Sequence, residues 1–177
     1  FYGGAVYLLE NCEVSISASN FEANYSDLGG GGIYNQGGIL TVASCSFNQN
    51  ISLPGNGGGI GLLGGGTATI SNSEFTSNSA ISGGGIFIST TSWLEMSFSM
   101  FCENIGGDVV GNWADLGGNE INASCDGTDG ACCTNDICVL TDSETCNFVG
   151  GKFQGLKTIC SEELCPTSCP GDLNGDG

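Results

Sequence analysis

Gly83-Gly84-Gly85-Ile86-Phe87, followed by Phe101-Cys102-Glu103-Asn104, is one copy of the paired motif that decides the fold. The opening motif, Gly-Gly-(Ala/Gly)-(Val/Ile), recurs at residues 3–6, 30–33, 57–60 and 83–86, so its copies are 27, 27 and 26 residues apart. The closing motif, Phe-x-x-Asn, recurs at Phe21/Asn24, Phe47/Asn50, Phe75/Asn78 and Phe101/Asn104, with spacings of 26, 28 and 26 residues. A repeat of this length predicts a solenoid in which each copy forms one coil.

Within each copy, apolar and polar side chains alternate ahead of the Phe. Val14-Ser15-Ile16-Ser17 and Leu40-Thr41-Val42-Ala43 show this pattern, which is typical of a strand with one buried face. A second short strand is predicted after each glycine cluster, as in Val6-Tyr7-Leu8. We therefore expect an all-β fold, a single-stranded parallel β-helix of about 27-residue coils over residues 1–122, with about 4.8 Å between coils.

Two columns of identical residues should run along this solenoid. We expect Asn24, Asn50, Asn78 and Asn104 to form a structural ladder, because stacked amides can bond one another and satisfy backbone groups at a corner. The Phe column beside it should form a stack in the core. A fifth, degenerate coil is expected over residues 109–119, where the Phe-x-x-Asn motif is lost and Trp113 appears, as in a terminal repeat.

Charge restricts the classes of partner. The 177 residues include 19 acidic and 2 basic side chains, for a net charge of −17. Such a surface repels phosphate backbones and anionic membranes, so nucleic acid is excluded as a partner, and no apolar run is long enough for membrane insertion. The chain opens inside a repeat at Phe1 and stops inside a motif at Gly177, so we expect it to be a piece of a longer protein.

Cysteines mark a second segment, which we place at residues 123–169. Eleven cysteines in a small acidic chain indicate an oxidising compartment, so we expect a secreted or cell-surface protein. A segment of this size cannot bury enough core without covalent links. The disulfide candidates are Cys102, Cys125, Cys132, Cys133, Cys138, Cys146, Cys160, Cys165 and Cys169, and Cys102 with Cys125 is one plausible pair. Cys12 and Cys45 should be buried thiols.

Residues 170–177 form the third predicted segment. Asp172, Asn174 and Asp176 have the spacing D-x-N-x-D-G that opens a twelve-residue calcium loop, with Gly177 at the sharp turn. The second half of that loop is missing. We therefore expect Ca²⁺ to bind only in the full-length parent protein and no cofactor to bind this chain.

Two family resemblances attach to these motifs. The paired glycine and Phe-x-x-Asn motifs resemble the repeats of polymorphic outer-membrane-protein adhesins, within the pectin-lyase-like β-helix class, which implies a right-handed coil. Residues 171–177 resemble the start of a type I dockerin, which implies calcium-dependent docking to a cohesin-like partner. Together the segments look like uncharacterised secreted bacterial β-helix proteins, and neither resemblance implies a substrate.

The class contains both binders and polysaccharide-degrading enzymes. Residues 1–122 contain no Arg, Lys or His, which argues against lyase chemistry there. The acids Glu74, Glu95 and Asp108 form no stacked pair and are interpreted as solvated surface groups.

Tyr7, Tyr34 and Phe87 follow the inward Val/Ile of their coils, so alternation should turn them outward as a sugar-stacking platform. The alternative is an aromatic stack that shields the sheet. We expect an adhesive scaffold that binds a polysaccharide or cell-surface glycan. The alternative is a lyase or glycoside hydrolase whose catalytic coils lie outside this chain.

Overall fold

The computed structural model describes residues 4–123, 130–134, 137–141 and 143–154. The chain divides into two compact units, residues 1–122 and 123–177, which are taken separately below. Among the described residues, no helix is both long and apolar enough to cross a membrane.

The first unit is a parallel β-solenoid, as the repeat predicted. The strands of the first two coils are β1 (Val6–Leu8), β2 (Glu13–Ser17), β3 (Asn20–Glu22), β4 (Tyr25–Ser26), β5 (Ile33–Gln36), β6 (Ile39–Ala43), β7 (Ser46–Asn48) and β8 (Ile51–Ser52). The third and fourth coils contain β9 (Ile60–Leu63), β10 (Thr67–Ser71), β11 (Glu74–Thr76), β12 (Ser79–Ala80), β13 (Ile86–Ile88), β14 (Trp93–Ser97) and β15 (Met100–Cys102). The fifth coil contains β16 (Val109–Val110), β17 (Trp113–Asp115) and β18 (Glu120–Ala123).

Equivalent strands of successive coils pair into four sheets. Sheet A contains β1-β5-β9-β13-β16, sheet B β2-β6-β10-β14-β17, sheet C β3-β7-β11-β15-β18, and sheet D β4-β8-β12. The register follows the repeat, so Phe21 pairs with Phe47 and Phe75 pairs with Phe47 and Phe101. Sequence patterns predicted the strands of sheets A and B. They missed the strands of sheet C around each Phe and those of sheet D, which are only two residues long.

The core consists of the inward residue of each alternating pair. Leu40, Val42 and Ile70 of sheet B are fully buried, as are the Phe side chains of the second to fourth coils. Neighbouring Phe rings lie parallel with centroids 4.6, 4.6 and 4.5 Å apart. This spacing is close to the distance between neighbouring strands of a sheet, so one ring stacks on the next at each coil.

The glycine clusters are needed for two different reasons. Gly30 begins the second coil's cluster with φ +56°, a conformation in which a side chain is strained. Gly59 has no such φ, but a Cβ there would lie 2.7 Å from the carbonyl oxygen of Gly85 and 2.9 Å from the Phe75 ring. Successive coils therefore approach backbone to backbone at this corner, which leaves no space for a side chain.

The turns on both sides of sheet C use left-handed residues that are not glycine. They are Ala18, Ser44, Asn72 and Phe98 on one side, with φ of 46–54°, and Ala23, Gln49, Ser77 and Glu103 on the other, with φ of 52–56°. Each left-handed non-glycine residue costs roughly 1–2 kcal/mol, so the packed coils must impose this geometry on the turns.

The described part of the second unit is a small antiparallel sheet with one short helix. Its elements are β19 (Gly130–Thr134), β20 (Ile137–Thr141), α1 (Ser143–Phe148) and β21 (Lys152–Phe153), and β19 lies between β20 and β21. A disulfide between Cys132 and Cys146 joins β19 to α1, with their Cα atoms 5.6 Å apart. Gly151 packs against this disulfide, since a Cβ there would lie 2.4 Å from the Cys132 sulfur.

Candidate functional site

The predicted aromatic column lies on sheet A in the expected register. Tyr7 pairs with Tyr34, Tyr34 with Gly61, and Gly61 with Phe87. The structure differs from the expected platform at Tyr34, which is only 6% exposed, whereas Tyr7 is 40% exposed. Its ring lies 5.3 Å from the Tyr7 ring, and a Cβ on Gly29 would lie 2.6 Å from it. The glycine corner thus covers Tyr34, so sheet A does not present three open ring faces.

The four asparagines stack in one column and bond from coil to coil. Asn50 Oδ1 accepts hydrogen bonds from the backbone N and the Nδ2 of Asn24, at 3.1 and 2.8 Å. Asn50 Nδ2 donates to the Phe21 carbonyl and to Asn78 Oδ1, at 2.8 and 2.9 Å. Asn78 repeats the pattern with Phe47 and Asn104. These amides are used within the fold, and this column is not free to bind a ligand.

Asp108 ends this column on the fifth coil. Asn104 Nδ2 donates to Asp108 Oδ1 at 2.7 Å, and Asp108 is only 6% exposed. The interpretation of Asp108 as a solvated surface acid was therefore wrong. The last side chain of the column has to accept a hydrogen bond but need not donate one to a further coil. A carboxylate accepts as well as an amide does.

A second polar column, which the sequence analysis missed, lies at the corner between sheets B and C. Ser73 and Ser99 each donate through Oγ to the carbonyl two residues earlier, at 2.9 and 3.0 Å. Their hydroxyls also accept from the backbone N of the preceding coil, Cys45 N to Ser73 and Ser73 N to Ser99, both at 3.2 Å. Asn119 continues the column by accepting from Ser99 N at 3.0 Å.

Among the described residues, Cys12 and Cys45 are free cysteines, and they lie in different surroundings. Cys45 occupies the serine column and is 3% exposed, as expected. The expectation of burial was wrong for Cys12, which is exposed. Cys12 lies in the turn before β2, where its backbone N bonds to the Leu9 carbonyl, and a turn position does not face the core.

The remaining predicted site residues fall into two groups. Cys102 and Cys133 are each disulfide-bonded, and Cys138 lies in β20. Those outside the described residues are Cys125, Cys160, Cys165, Cys169, Asp172, Asn174 and Asp176. In the part of the chain that is described, no three His, Cys, Asp or Glu side chains are arranged to hold a metal ion.

The corner between sheets B and C also contains a groove of about 440 Å³, which we call the corner groove. It crosses three coils and is lined by Ala18, Ser19, Asn20, Ser44, Cys45, Ser46, Asn72 and Glu74. The left-handed turn residues and the first outward column of sheet C form this lining. The groove is shallow and largely open to solvent, so a ligand would lie along the surface across the coils and not in an enclosed cavity.

Four polar side chains in the corner groove are unused by the fold. Ser44, Ser46, Asn72 and Glu74 form no side-chain hydrogen bond to any described residue. The next outward column is different, because Thr76 Oγ1 donates to Asn48 Oδ1 at 3.1 Å. The groove therefore presents two hydroxyls, an amide and a carboxylate, a set that can donate and accept hydrogen bonds from one ligand.

Two aromatic side chains of the fourth coil are exposed near sheet B, at opposite ends of β14. Phe98 follows Asn72 in the left-handed column and is 65% exposed. Trp93, at the start of β14, is 45% exposed on the outer face of sheet B, in register with Thr67. Alternation around buried Leu94 could have identified Trp93 from sequence. Phe98 could not be identified that way, because it lies in a turn where alternation fails.

Comparisons with known proteins identify no family for this chain. No protein-family model matches the sequence, and no curated protein and no solved structure matches it significantly. Conclusions about function therefore rest on the solenoid and its side chains.

Proposed function

We propose that this chain is a carbohydrate-binding scaffold whose ligand lies in the corner groove and over Phe98. The observation that carries the proposal is the convergence of four unused polar side chains in one shallow groove. The exposed Phe98 occupies the next position of the left-handed turn column, on the fourth coil, with its ring beside Gly118. Sugar hydroxyls both donate and accept, which matches Ser44, Asn72 and Glu74, and the apolar face of a sugar packs on an aromatic ring. This proposal relocates the sugar platform from sheet A to the corner of sheets B and C.

The ligand should be a neutral glycan rather than an acidic one. Glu74 lies in the groove, and the chain has a net charge of −17. A uronate or sulfated sugar would bring like charge close to this carboxylate, which disfavours binding. A neutral hydroxyl can instead donate a charge-assisted hydrogen bond to Glu74.

The groove is better suited to binding than to hydrolysis. Glu74 is the one carboxylate among the described residues that line it. Glycoside hydrolysis by the common mechanism uses two carboxylates, separated by about 5–9.5 Å. Retention without cleavage is therefore the expected behaviour.

An extracellular location and calcium-dependent docking belong to the same proposal. The number of cysteines and the Cys132–Cys146 disulfide support secretion. The spacing of Asp172, Asn174 and Asp176 supports calcium-dependent docking to a cohesin-like partner. Calorimetry tests the calcium part: with three loop ligands, this chain should show no tight Ca²⁺ binding, and a submicromolar site would contradict it.

The test measures retention and release of new reducing ends on a panel of neutral and acidic polysaccharides. The native chain should be retained by at least one neutral polysaccharide, with no release. Glu74→Gln and Phe98→Ala should each weaken retention about tenfold, which corresponds to losing about 1.4 kcal/mol. Thr69→Ala, on the exposed outer face of sheet B, is the matched control and should leave retention unchanged.

Three results would contradict the proposal. Retention only by acidic polysaccharides would contradict the charge argument. Equal loss of retention in Thr69→Ala and Glu74→Gln would show that the groove is not the site. Release of new reducing ends would favour the enzyme alternative. Tyr34→Ala separates this site from the aromatic column, because loss of retention in folded Tyr34→Ala alone would return the site to sheet A.

A further inference from the structure

A strip of exposed apolar side chains covers the outside of sheet D, on the far side of sheet C from the corner groove. Its first column follows the sheet register, from Tyr25 through Ile51 and Ser79 to Ile105. Tyr25 is 57% exposed, Ile51 37% and Ile105 67%. Outer positions of sheet B are instead occupied mainly by Ser, Thr and Glu, so the apolar outer column distinguishes sheet D from sheet B.

A second group of apolar side chains widens the strip. Leu28, Leu53 and Ile81 are 50%, 40% and 63% exposed. They adjoin the first column, because Tyr25 Oη donates to the Leu53 carbonyl at 2.9 Å and Ile81 N donates to the Gly55 carbonyl at 3.1 Å. We call these six residues the sheet D strip: Tyr25, Leu28, Ile51, Leu53, Ile81 and Ile105.

A shallow groove of about 530 Å³ runs between this strip and sheet C. Its lining combines Tyr25, Ile51 and Ile105 with the left-handed turn residues Ala23, Gln49 and Ser77. Contiguous exposed apolar surface of this kind, bounded by polar residues, is typical of a protein-interaction site.

The charges around the strip select the kind of partner. Asp27, on the first coil, is hydrogen-bonded to Tyr25 of the strip. Glu103 on the fourth coil accepts a hydrogen bond from Ser77 at 3.2 Å. Residues 1–122 contain no Lys, Arg or His, so every charged side chain of the solenoid is acidic. A second copy of this chain would add another −17 with only two lysines to offset it. A partner with an apolar segment between cations can cover the apolar strip and place those cations near its carboxylates.

We propose that the sheet D strip docks a cationic partner polypeptide, as an extended apolar segment flanked by Lys or Arg. The apolar side chains of that segment cover Ile51, Leu53 and Ile81. Its flanking cations lie near Asp27 and Glu103. This surface is separate from the corner groove, so a glycan and a protein partner can be held at once.

The test uses a fluorescent peptide of alternating Val and Thr with lysines at both ends, and an identical peptide with glutamates at the ends. Anisotropy should show the Lys-ended peptide binding the native chain, and the Glu-ended peptide not binding. The Ile81→Ser/Ile105→Ser double variant should bind about tenfold more weakly, since it removes two apolar contacts. The control Ile39→Ser/Leu116→Ser, which changes residues 54% and 57% exposed elsewhere on the solenoid, should bind as the native chain does.

Salt provides the second measurement. Raising the salt concentration from about 50 mM to about 500 mM should weaken binding of the Lys-ended peptide severalfold, because exposed charges are screened. The proposal is overturned if the native chain does not bind this peptide, or if the control variant loses as much affinity as the double variant. It is also overturned if the native chain forms dimers that the double variant abolishes, which would assign the strip to a second copy.

Discussion

Replacing Asn50 by Ala should destabilise the solenoid more than the same change at Asn24. Asn50 is fully buried and takes part in four side-chain hydrogen bonds, two to Asn24, one to the Phe21 carbonyl and one to Asn78. At about 1 kcal/mol net for each bond, Asn50→Ala should lower the free energy of unfolding by about 4 kcal/mol. Asn24 is half-buried and its side chain makes one of these bonds, so Asn24→Ala should cost about 1 kcal/mol.

Urea denaturation followed by tryptophan fluorescence measures both changes, because Trp93 and Trp113 lie in the first unit. The two variants carry the same chemical change in the same column, so their difference isolates the coil-to-coil bonding. Asn50→Asp is a second probe, because a carboxylate accepts the two bonds from Asn24 but cannot donate to the Phe21 carbonyl. It should be destabilised at neutral pH and recover part of its stability as the pH falls and the carboxyl is protonated.

Equal free-energy losses for Asn50→Ala and Asn24→Ala would refute this reasoning. Losses below about 1 kcal/mol in both would show that the column is dispensable and that the core alone holds the coils together.

Three further changes test other parts of the structure. Ser52→Ala should stabilise the chain by about 1 kcal/mol, because Ser52 Oγ is buried without a hydrogen-bond partner in the described structure and the third coil has Ala80 at this position; a lowered urea midpoint would contradict this. Phe98→Gly should relieve left-handed strain at φ 48° and raise the free energy of unfolding by about 1 kcal/mol, while glycan retention falls. A variant that gains stability and retains the glycan as well as the native chain would argue against the proposed site. The hydrogen bond with Asp27 raises the pKa of Tyr25, so Asp27→Asn should lower it in an ultraviolet absorbance titration. Because the folded-state pKa is the higher one, this group stabilises the fold at pH values below its unfolded pKa, and the contribution is lost as pH rises through the folded pKa.

The coil repeat was predictable because burial imposes it on every copy. An inward Val, Ile or Leu at a strand position and a Phe at a fixed offset are needed on each coil, so the period is visible in the sequence. The asparagine column was visible for the same reason. Asp108 was not, because the terminal coil needs an acceptor only and abandons the Phe-x-x-Asn motif.

The candidate site was harder to predict than the fold. Alternation correctly placed Tyr34 on the outer side of its strand, but it did not reveal that the neighbouring glycine corner covers the ring. The corner groove is formed by left-handed turn residues as different as Ala18, Ser44 and Asn72. A turn geometry imposed by packed coils has no residue signature, so sequence reasoning found the columns that the fold uses and missed the surface that it leaves open.

Titration of the isotope-labelled chain with a neutral oligosaccharide tests the central claim most directly. Two-dimensional amide spectra report which residues sense the ligand. The account predicts saturable shifts at Ser44, Ser46, Asn72, Glu74 and Phe98, with the sheet A residues Tyr7 and Phe87 unaffected. Shifts confined to sheet A, or no shifts with any neutral oligosaccharide that corresponds to a retained polysaccharide, would contradict it.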